Sequence, residues 1–235
     1  MLKKLCYTVL IIILLGCSRS AVTYKRQSAD DRIITRLYEQ EREQDIVKRE
    51  KILREIINDA SEDPGRGHQT TVLARLALAQ VLIEQGKDAE GARILLELDR
   101  TSQEAFHPVR AEILSLLGNY YLNRAELEKS IYYYKKALEV TDKNFGVNSA
   151  QSGKICLALA DVEKEVRNFS EAKKYISRAY NAADSHPDTD DFDRADIANT
   201  EAELFIDLED FEKSYSAAIR ALEEDEKHPE RGILP

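Results

Sequence analysis

The sequence predicts an all-α chain of antiparallel helix pairs, and three observations carry that prediction. First, three stretches align on each other at a spacing of 42 residues. Their matching columns are Leu127, Phe169 and Phe211, then Ser130, Ala172 and Ser214, then Ala137, Ala179 and Ala221. Gly118, Ala160 and Ala202 run ahead of them, as do Ile113, Ile155 and Ile197. A fixed period in this range marks a repeat array, in which each unit buries its apolar face against its neighbours. Second, apolar residues recur at three-to-four spacing, with no two-residue alternation of the strand type. Third, breakers fall between the periodic stretches at Gly86-Lys87-Asp88, His107-Pro108, Phe145-Gly146 and His186-Pro187.

The chain begins with Lys3 and Lys4, an apolar run from Leu5 to Leu15, and Leu14-Leu15-Gly16-Cys17. The run is shorter than the roughly 20 residues of a membrane-spanning helix and has the layout of a secretory signal. Its closing tetrapeptide resembles the bacterial lipobox. That resemblance implies a signal peptide over 1–16 and acylation of Cys17, with Ser18 in the position that points to the outer membrane in enteric-type lipoproteins. An uncleaved anchor with an incidental cysteine is the alternative. Residues 17–29 then read as a lipidated cysteine and flexible tether, because apolar periodicity is missing there.

A helical segment is expected over 30–63. Ile33, Ile34, Leu37 and Tyr38 form one apolar set; Ile46, Val47, Ile52, Leu53, Ile56 and Ile57 form a second, and the polar stretch Glu39 to Asp45 is a break between them. Asp63-Pro64-Gly65-Arg66-Gly67 ends the segment. Eight paired helices follow over roughly 70–85, 88–102, 108–124, 127–142, 150–166, 169–184, 191–208 and 211–227. A tail occupies 229–235.

Leu117-Gly118-Asn119-Tyr120-Tyr121 with Ser130, Tyr134 and Ala137 resembles the tetratricopeptide repeat. Leu159-Ala160, Ala172, Ile176 and Ala179 form a second copy, and Ala202, Phe205, Ser214, Ala218 and Ala221 a third. Leu78-Ala79, Gly86, Gly91 and Leu95 form a looser copy upstream. The 42-residue spacing is similar to the kinesin-light-chain variant of that family. The resemblance covers 70–228 and implies about four repeats in a right-handed solenoid that works by presenting a surface. In this register Tyr134 belongs to the core, Tyr133 is half buried and Tyr132 faces outward.

Composition and motifs exclude several chemistries. The net charge of -9 becomes -11 once residues 1–16, with two lysines and no acids, are removed. Nucleic-acid binding needs clustered Lys and Arg that this chain lacks. Cys6 leaves with the signal and Cys17 carries lipid, so Cys156 has no disulfide partner and sits in an apolar column as a buried thiol. Pro64-Gly65-Arg66-Gly67-His68 lacks the Gly-Lys-Ser/Thr ending of a phosphate loop. His68, His107, His186 and His228 lack metal-ligand spacing. Asp188-Thr189-Asp190-Asp191-Phe192-Asp193 lacks the glycine and closing Glu of a calcium loop. Glu223-Glu224-Asp225-Glu226 reads as a solvated helix end. No catalytic residue, cofactor or metal is assigned.

The resemblance implies that the first helix of each pair lines the concave groove. That row holds Glu112, Ser115, Asn119, Leu122 and Asn123, then Lys154, Leu157, Asp161, Lys164 and Glu165, then Asp196, Asn199, Glu203, Ile206 and Asp207. Asn119 and Lys154 match part of the family's carboxylate clamp. Ser115, Ala158, Asp196 and Thr200 depart from it, which argues against that role. Acids outnumber bases across the row, so the expected ligand is a basic or polar extended segment of a protein or peptide; the alternative is that these are solvated helix faces.

The expectation is a lipid-anchored adaptor or assembly scaffold in the bacterial envelope, on the outer membrane facing the periplasm. A surface-displayed ligand-binding lipoprotein and a non-catalytic regulatory subunit of an envelope enzyme are the alternatives. Self-association through the helical segment of 30–61 is a further one.

Overall fold

The computed structural model describes residues 21–60, 69–101, 107–186 and 194–227. All ten elements among them are α-helices: α1 (Ala21–Glu41), α2 (Ile46–Ala60), α3 (Gln69–Glu84), α4 (Asp88–Thr101), α5 (His107–Asn123), α6 (Leu127–Phe145), α7 (Ala150–Glu165), α8 (Phe169–Ser185), α9 (Arg194–Asp207) and α10 (Phe211–Lys227). None is long and apolar enough to cross a membrane. The chain divides into two compact units, Met1–Gln103 and Glu104–Pro235. The first hairpin of the repeat region thus belongs to one unit and the three well-marked hairpins to the other. Residues 1–20, with Cys17, and the tail 229–235 lie outside the described residues.

In the first unit, α2 packs on α3 and α1 packs on both. Ile33, Leu37, Leu53, Ile56, Ala74, Leu78, Val81 and Leu82 form its core. Helices α1 and α2 are therefore a hairpin whose apolar face is spent on α3. Its break is where the polar stretch put it: Asp45 caps α2, its carboxylate accepting from Val47 N at 2.9 Å and Lys48 N at 3.3 Å. One boundary needs correction. Residues 21–29, inside the stretch 17–29 expected as a flexible tether, belong to helix α1. That stretch has no Gly or Pro after Gly16 and holds Ala, Lys, Arg and Gln, so helix propensity operates without an apolar stripe.

The second unit stacks α5–α6, α7–α8 and α9–α10. Its columns behave as the register requires. Ser130, Ala172, Ala137 and Ala179 are fully buried, with Ser214 and Ala221 nearly so, and Ile113, Ile155 and Ile197 line the other side of the crossings. A Cβ placed on Gly118 would stand 2.7 Å from the Tyr134 ring, so the glycine there allows the aromatic to cross. The later copies put Ala160 with Ile176 and Ala202 with Ala218, a smaller partner wherever the glycine has become alanine. Ser130 Oγ donates to Gly118 O at 2.9 Å, closing the same contact.

Every repeat hairpin turns in the same way. Gly86, Ala125, Arg167 and Glu209 all have positive φ, between 55° and 75°. Each is followed by a residue whose N–H reaches back five positions: Lys87 to Leu82 O at 2.8 Å, Glu126 to Tyr121 O at 2.9 Å, Asn168 to Glu163 O at 2.8 Å and Asp210 to Phe205 O at 2.9 Å. This is the Schellman closure of a helix C-terminus. The last three are 42 residues apart and Gly86 lies 39 before Ala125, which places the looser first copy in register. Only that copy carries the glycine that makes the turn visible in sequence.

Candidate functional site

The row of first helices in the second unit is where the sequence placed its groove residues. The structure sorts them into two kinds. Asp161, Lys164 and Glu203 come together: Lys164 Nζ lies 3.4 Å from Asp161 Oδ1 and 2.5 Å from Glu203 Oε2. The Lys164 side chain is only 7% exposed, so this cation is a strut between α7 and α9 rather than a group offered to a ligand. Burial pushes the Asp161 carboxyl above its ordinary range, while Lys164 and a hydrogen bond from Thr200 pull the other way. Thr200, one of the departures from the clamp pattern, is thereby a partner of Asp161.

On α5, Asn119 Oδ1 accepts from the Tyr134 hydroxyl. That phenol is pushed up to about 12, first by burial and then by the charge of Asp161. Tyr134 is thus both a core residue and the hydrogen-bond partner of Asn119, a role its aromatic column did not advertise. Tyr133 is half buried and Tyr132 exposed, as the register expects. Tyr133 stacks on Tyr121 with ring centres 5.3 Å apart. Cys156 is fully buried, and its thiol is pushed up to about 12 by burial, which leaves it protonated and unreactive.

The remaining assigned residues stay at the surface. Asn123, Glu165 and Asp207 occupy one register column at the C-terminal ends of α5, α7 and α9, and all three are exposed. Lys154 and Asn199 are exposed nearer the helix starts. The Lys164 cation is therefore internally engaged beside an outward row that carries two acids and an amide. Glu112, at the start of α5, is raised to about 7 because burial penalises its carboxylate.

Features outside this row were not foreseen. Glu50 on α2 receives Arg54 at 2.8 Å and Lys87 at 2.7 Å, and Arg54 reaches Glu90 at 2.7 Å, clamping α2 to the α3–α4 turn. The Glu50–Arg54 pair has ordinary i,i+4 helical spacing, but the contacts to Lys87 and Glu90, 37 and 36 residues away, have no periodic signature in sequence. At the far end, α10 exposes Phe211, Tyr215 and Leu222. Among the described residues no group of His, Cys, Asp and Glu is arranged to hold a metal ion.

No protein-family model matches the chain, and no curated protein matches it. Solved structures do. A kinesin light chain of Podosopora anserina with nearly identical TPR-like repeats is similar over 91% of this chain and 100% of its own, with a TM-score of 0.68 and 11% identity. Pseudomonas aeruginosa PilF is similar over 87% of this chain and 94% of its own, at TM-score 0.56 and 17% identity. Bacillus thuringiensis PlcR, solved with the peptide PapR7 and DNA, is similar over 90% and 74%, at TM-score 0.57 and 14% identity. At these identities the likeness establishes the fold alone: an all-α array of helix pairs like that of TPR-like repeats.

Proposed function

We propose that this chain is a lipid-anchored, non-catalytic adaptor of the bacterial envelope that holds a basic or polar extended segment of a partner protein on its row of first helices. The observation that carries the ligand chemistry is the closure of Lys164 by Asp161 and Glu203. With that cation engaged, the exposed row Asn123, Glu165 and Asp207 offers amide and carboxylate oxygens, which recognise donors and positive charge. Support for a binding role comes from the fold, since arrays of this kind act by presenting surfaces, and from the peptide held by one structural neighbour. Support for the anchor is Leu14-Leu15-Gly16-Cys17 and the apolar run before it.

The test is binding of two extended peptides of equal length, one Lys-rich and one Glu-rich, followed by fluorescence anisotropy. The Lys-rich peptide is expected to bind, and Glu165→Lys with Asp207→Lys to weaken it at least tenfold. Equal binding of both peptides, or an unchanged affinity in the double variant, overturns the ligand assignment. Cys17→Ala is expected to release the chain from membranes and abolish fatty-acid incorporation, and persistence of both rules out the lipid anchor.

A further inference from the structure

The end helix α10 carries an apolar stripe that its own unit does not use. Phe211 is 67% exposed, Tyr215 71%, Leu222 59% and Ile219 37%. Their spacings of four, four and three residues set them along one side of the helix, over about 16 Å. The helix is held to its unit by the other side, through Ser214, Ala217 and Ala221. In the earlier repeats the positions matching the two ends of the stripe are packed into the core, while Lys173, a mate of Tyr215, and Lys135 and Ser177, the mates of Ile219, are exposed. Leu127 and Phe169, the register mates of Phe211, pack against the core, and so do Leu138 and Tyr180, the mates of Leu222. A helix face left to solvent is ordinarily polar, and this one is not.

Charge selects the occupant. The two cations of α10 nearest the stripe are engaged, Lys213 with Asp210 and Arg220 with Glu201 at 2.9 Å. Glu212 and Glu223 are exposed and lie at helical spacing beside Ile219, so the border of the stripe is acidic. An antiparallel pairing with α10 of a second copy would set Glu212 of one against Glu223 of the other, a repulsive match. Nor does a helix with the pattern of α7 fit. Its Glu163 meets Lys135 of α6 at 3.1 Å, and the register mate of Lys135 on α10 is Ile219.

We propose that this stripe is a second docking face, separate from the first-helix row, and that it takes an amphipathic helix of a partner protein. That helix carries apolar residues at three-to-four spacing over about three turns, with Lys or Arg along its edge. It lies on α10 much as α9 lies on α8, and its basic edge meets Glu212 and Glu223.

The experiment uses the full-length chain in detergent and two labelled synthetic helices with the same leucine stripe, one edged with Lys and one with Glu. The Lys-edged helix is expected to bind at least tenfold more tightly than the Glu-edged one. Tyr215→Ser with Leu222→Gln should weaken it at least tenfold without changing the helical circular dichroism, because both side chains are exposed. Glu212→Lys with Glu223→Lys should reverse the preference between the helices, and Glu165→Lys in the first-helix row should leave it unchanged. Equal affinities, or indifference to the Tyr215 and Leu222 changes, overturn the proposal. Two further outcomes overturn it by naming another occupant: a dimer in light scattering that the Tyr215 and Leu222 changes dissolve, or helix binding that arises only after residues 228–235 are deleted.

Discussion

At the α3–α4 crossing the glycine sits on the second helix, at Gly91, whereas at the α5–α6 crossing it sits on the first, at Gly118. A Cβ on Gly91 would meet Ala79 O at 2.9 Å and Ile83 Cγ1 at 2.8 Å; one on Gly118 would meet the Tyr134 ring at 2.7 Å. Ala79 and Gly118 are register mates, and so are Gly91 and Ser130. The two units therefore keep one small-residue contact and exchange which helix supplies the missing side chain. Their electrostatics differ in the same spirit. The first unit is tied by an acid held between cations, Glu50 with Arg54 and Lys87. The second is tied by a cation held between acids, Lys164 with Asp161 and Glu203. A repeat fold constrains the volume at a crossing and leaves the sign of its polar ties open.

The largest expected effect comes from breaking the crossing. Gly118→Ala should destabilise the second unit by about 1–3 kcal/mol, because the buried Tyr134 ring must move and that overpacking outweighs the gain in helix propensity. Denaturant unfolding reads the loss as a lower midpoint at unchanged slope. Gly118→Ala with Tyr134→Ile reproduces the Ala160–Ile176 pair and should recover most of it. No recovery in the double variant would mean that the ring is not what the methyl meets. Gly91→Ala should also destabilise, and no side-chain change can rescue it fully, since one of its obstacles is a backbone carbonyl.

Next in size is the response to pH, where two glutamates move in opposite directions. Glu112 is raised from 4.5 to about 7 by burial. Its charged form costs stability, so the second unit weakens as pH rises from about 4.5 to 7 and levels off above. Glu112→Gln should stabilise by about 2 kcal/mol at pH 8 and by nothing at pH 4. Glu50 is lowered from 4.5 to about 2, chiefly by hydrogen bonds from Lys87 and then Arg54. Its contribution is present above pH 4.5 and lost as pH falls through about 2. Glu50→Gln should cost about 1 kcal/mol at pH 7, a difference that fades at the acid end. Unfolding midpoints of the two variants across pH 2 to 8 should meet the parent at the acid end and depart from it in opposite directions toward pH 8, Glu112→Gln upward and Glu50→Gln downward. Parallel curves would remove the distinction between the units.

What the sequence disclosed follows from what is periodic. Burial of a column such as Ala137, Ala179 and Ala221 repeats every 42 residues, so the hairpins, the core role of Tyr134 and the burial of Cys156 were legible before any coordinates. The break at Glu39 to Asp45 was legible as well, because an uninterrupted polar run cannot share an amphipathic face. The helical state of residues 21–29 was not, since a helix built on propensity alone leaves no apolar stripe. The candidate site was half legible. Register put Lys164 on a first helix, yet whether a lysine meets solvent or two carboxylates depends on side-chain direction across helices, which a single sequence does not encode. The bare stripe on α10 was hidden for a related reason: Phe211 continues a core column, and the column says nothing about whether a covering helix follows.

The smallest effect concerns the turns, where the first hairpin of the repeat region again differs from the others. Gly86 adopts its φ of 75° without a Cβ, while Ala125, Arg167 and Glu209 hold φ of 55°, 58° and 58° with one. A non-glycine residue in this region carries a strain of about 1 kcal/mol, partly offset because glycine loses more backbone freedom on folding. Glu209→Gly should therefore raise the stability of the second unit by about 0.5 kcal/mol, and Gly86→Ala should lower that of the first by about 1 kcal/mol. Glu209 is the better probe of the pair, since its side chain is exposed and its N–H bond to Ile206 O at 2.9 Å is kept by glycine. A fall in the thermal midpoint of Glu209→Gly would mean that the side chain contributes a contact outweighing the strain, and the shared turn would then be held by more than its backbone.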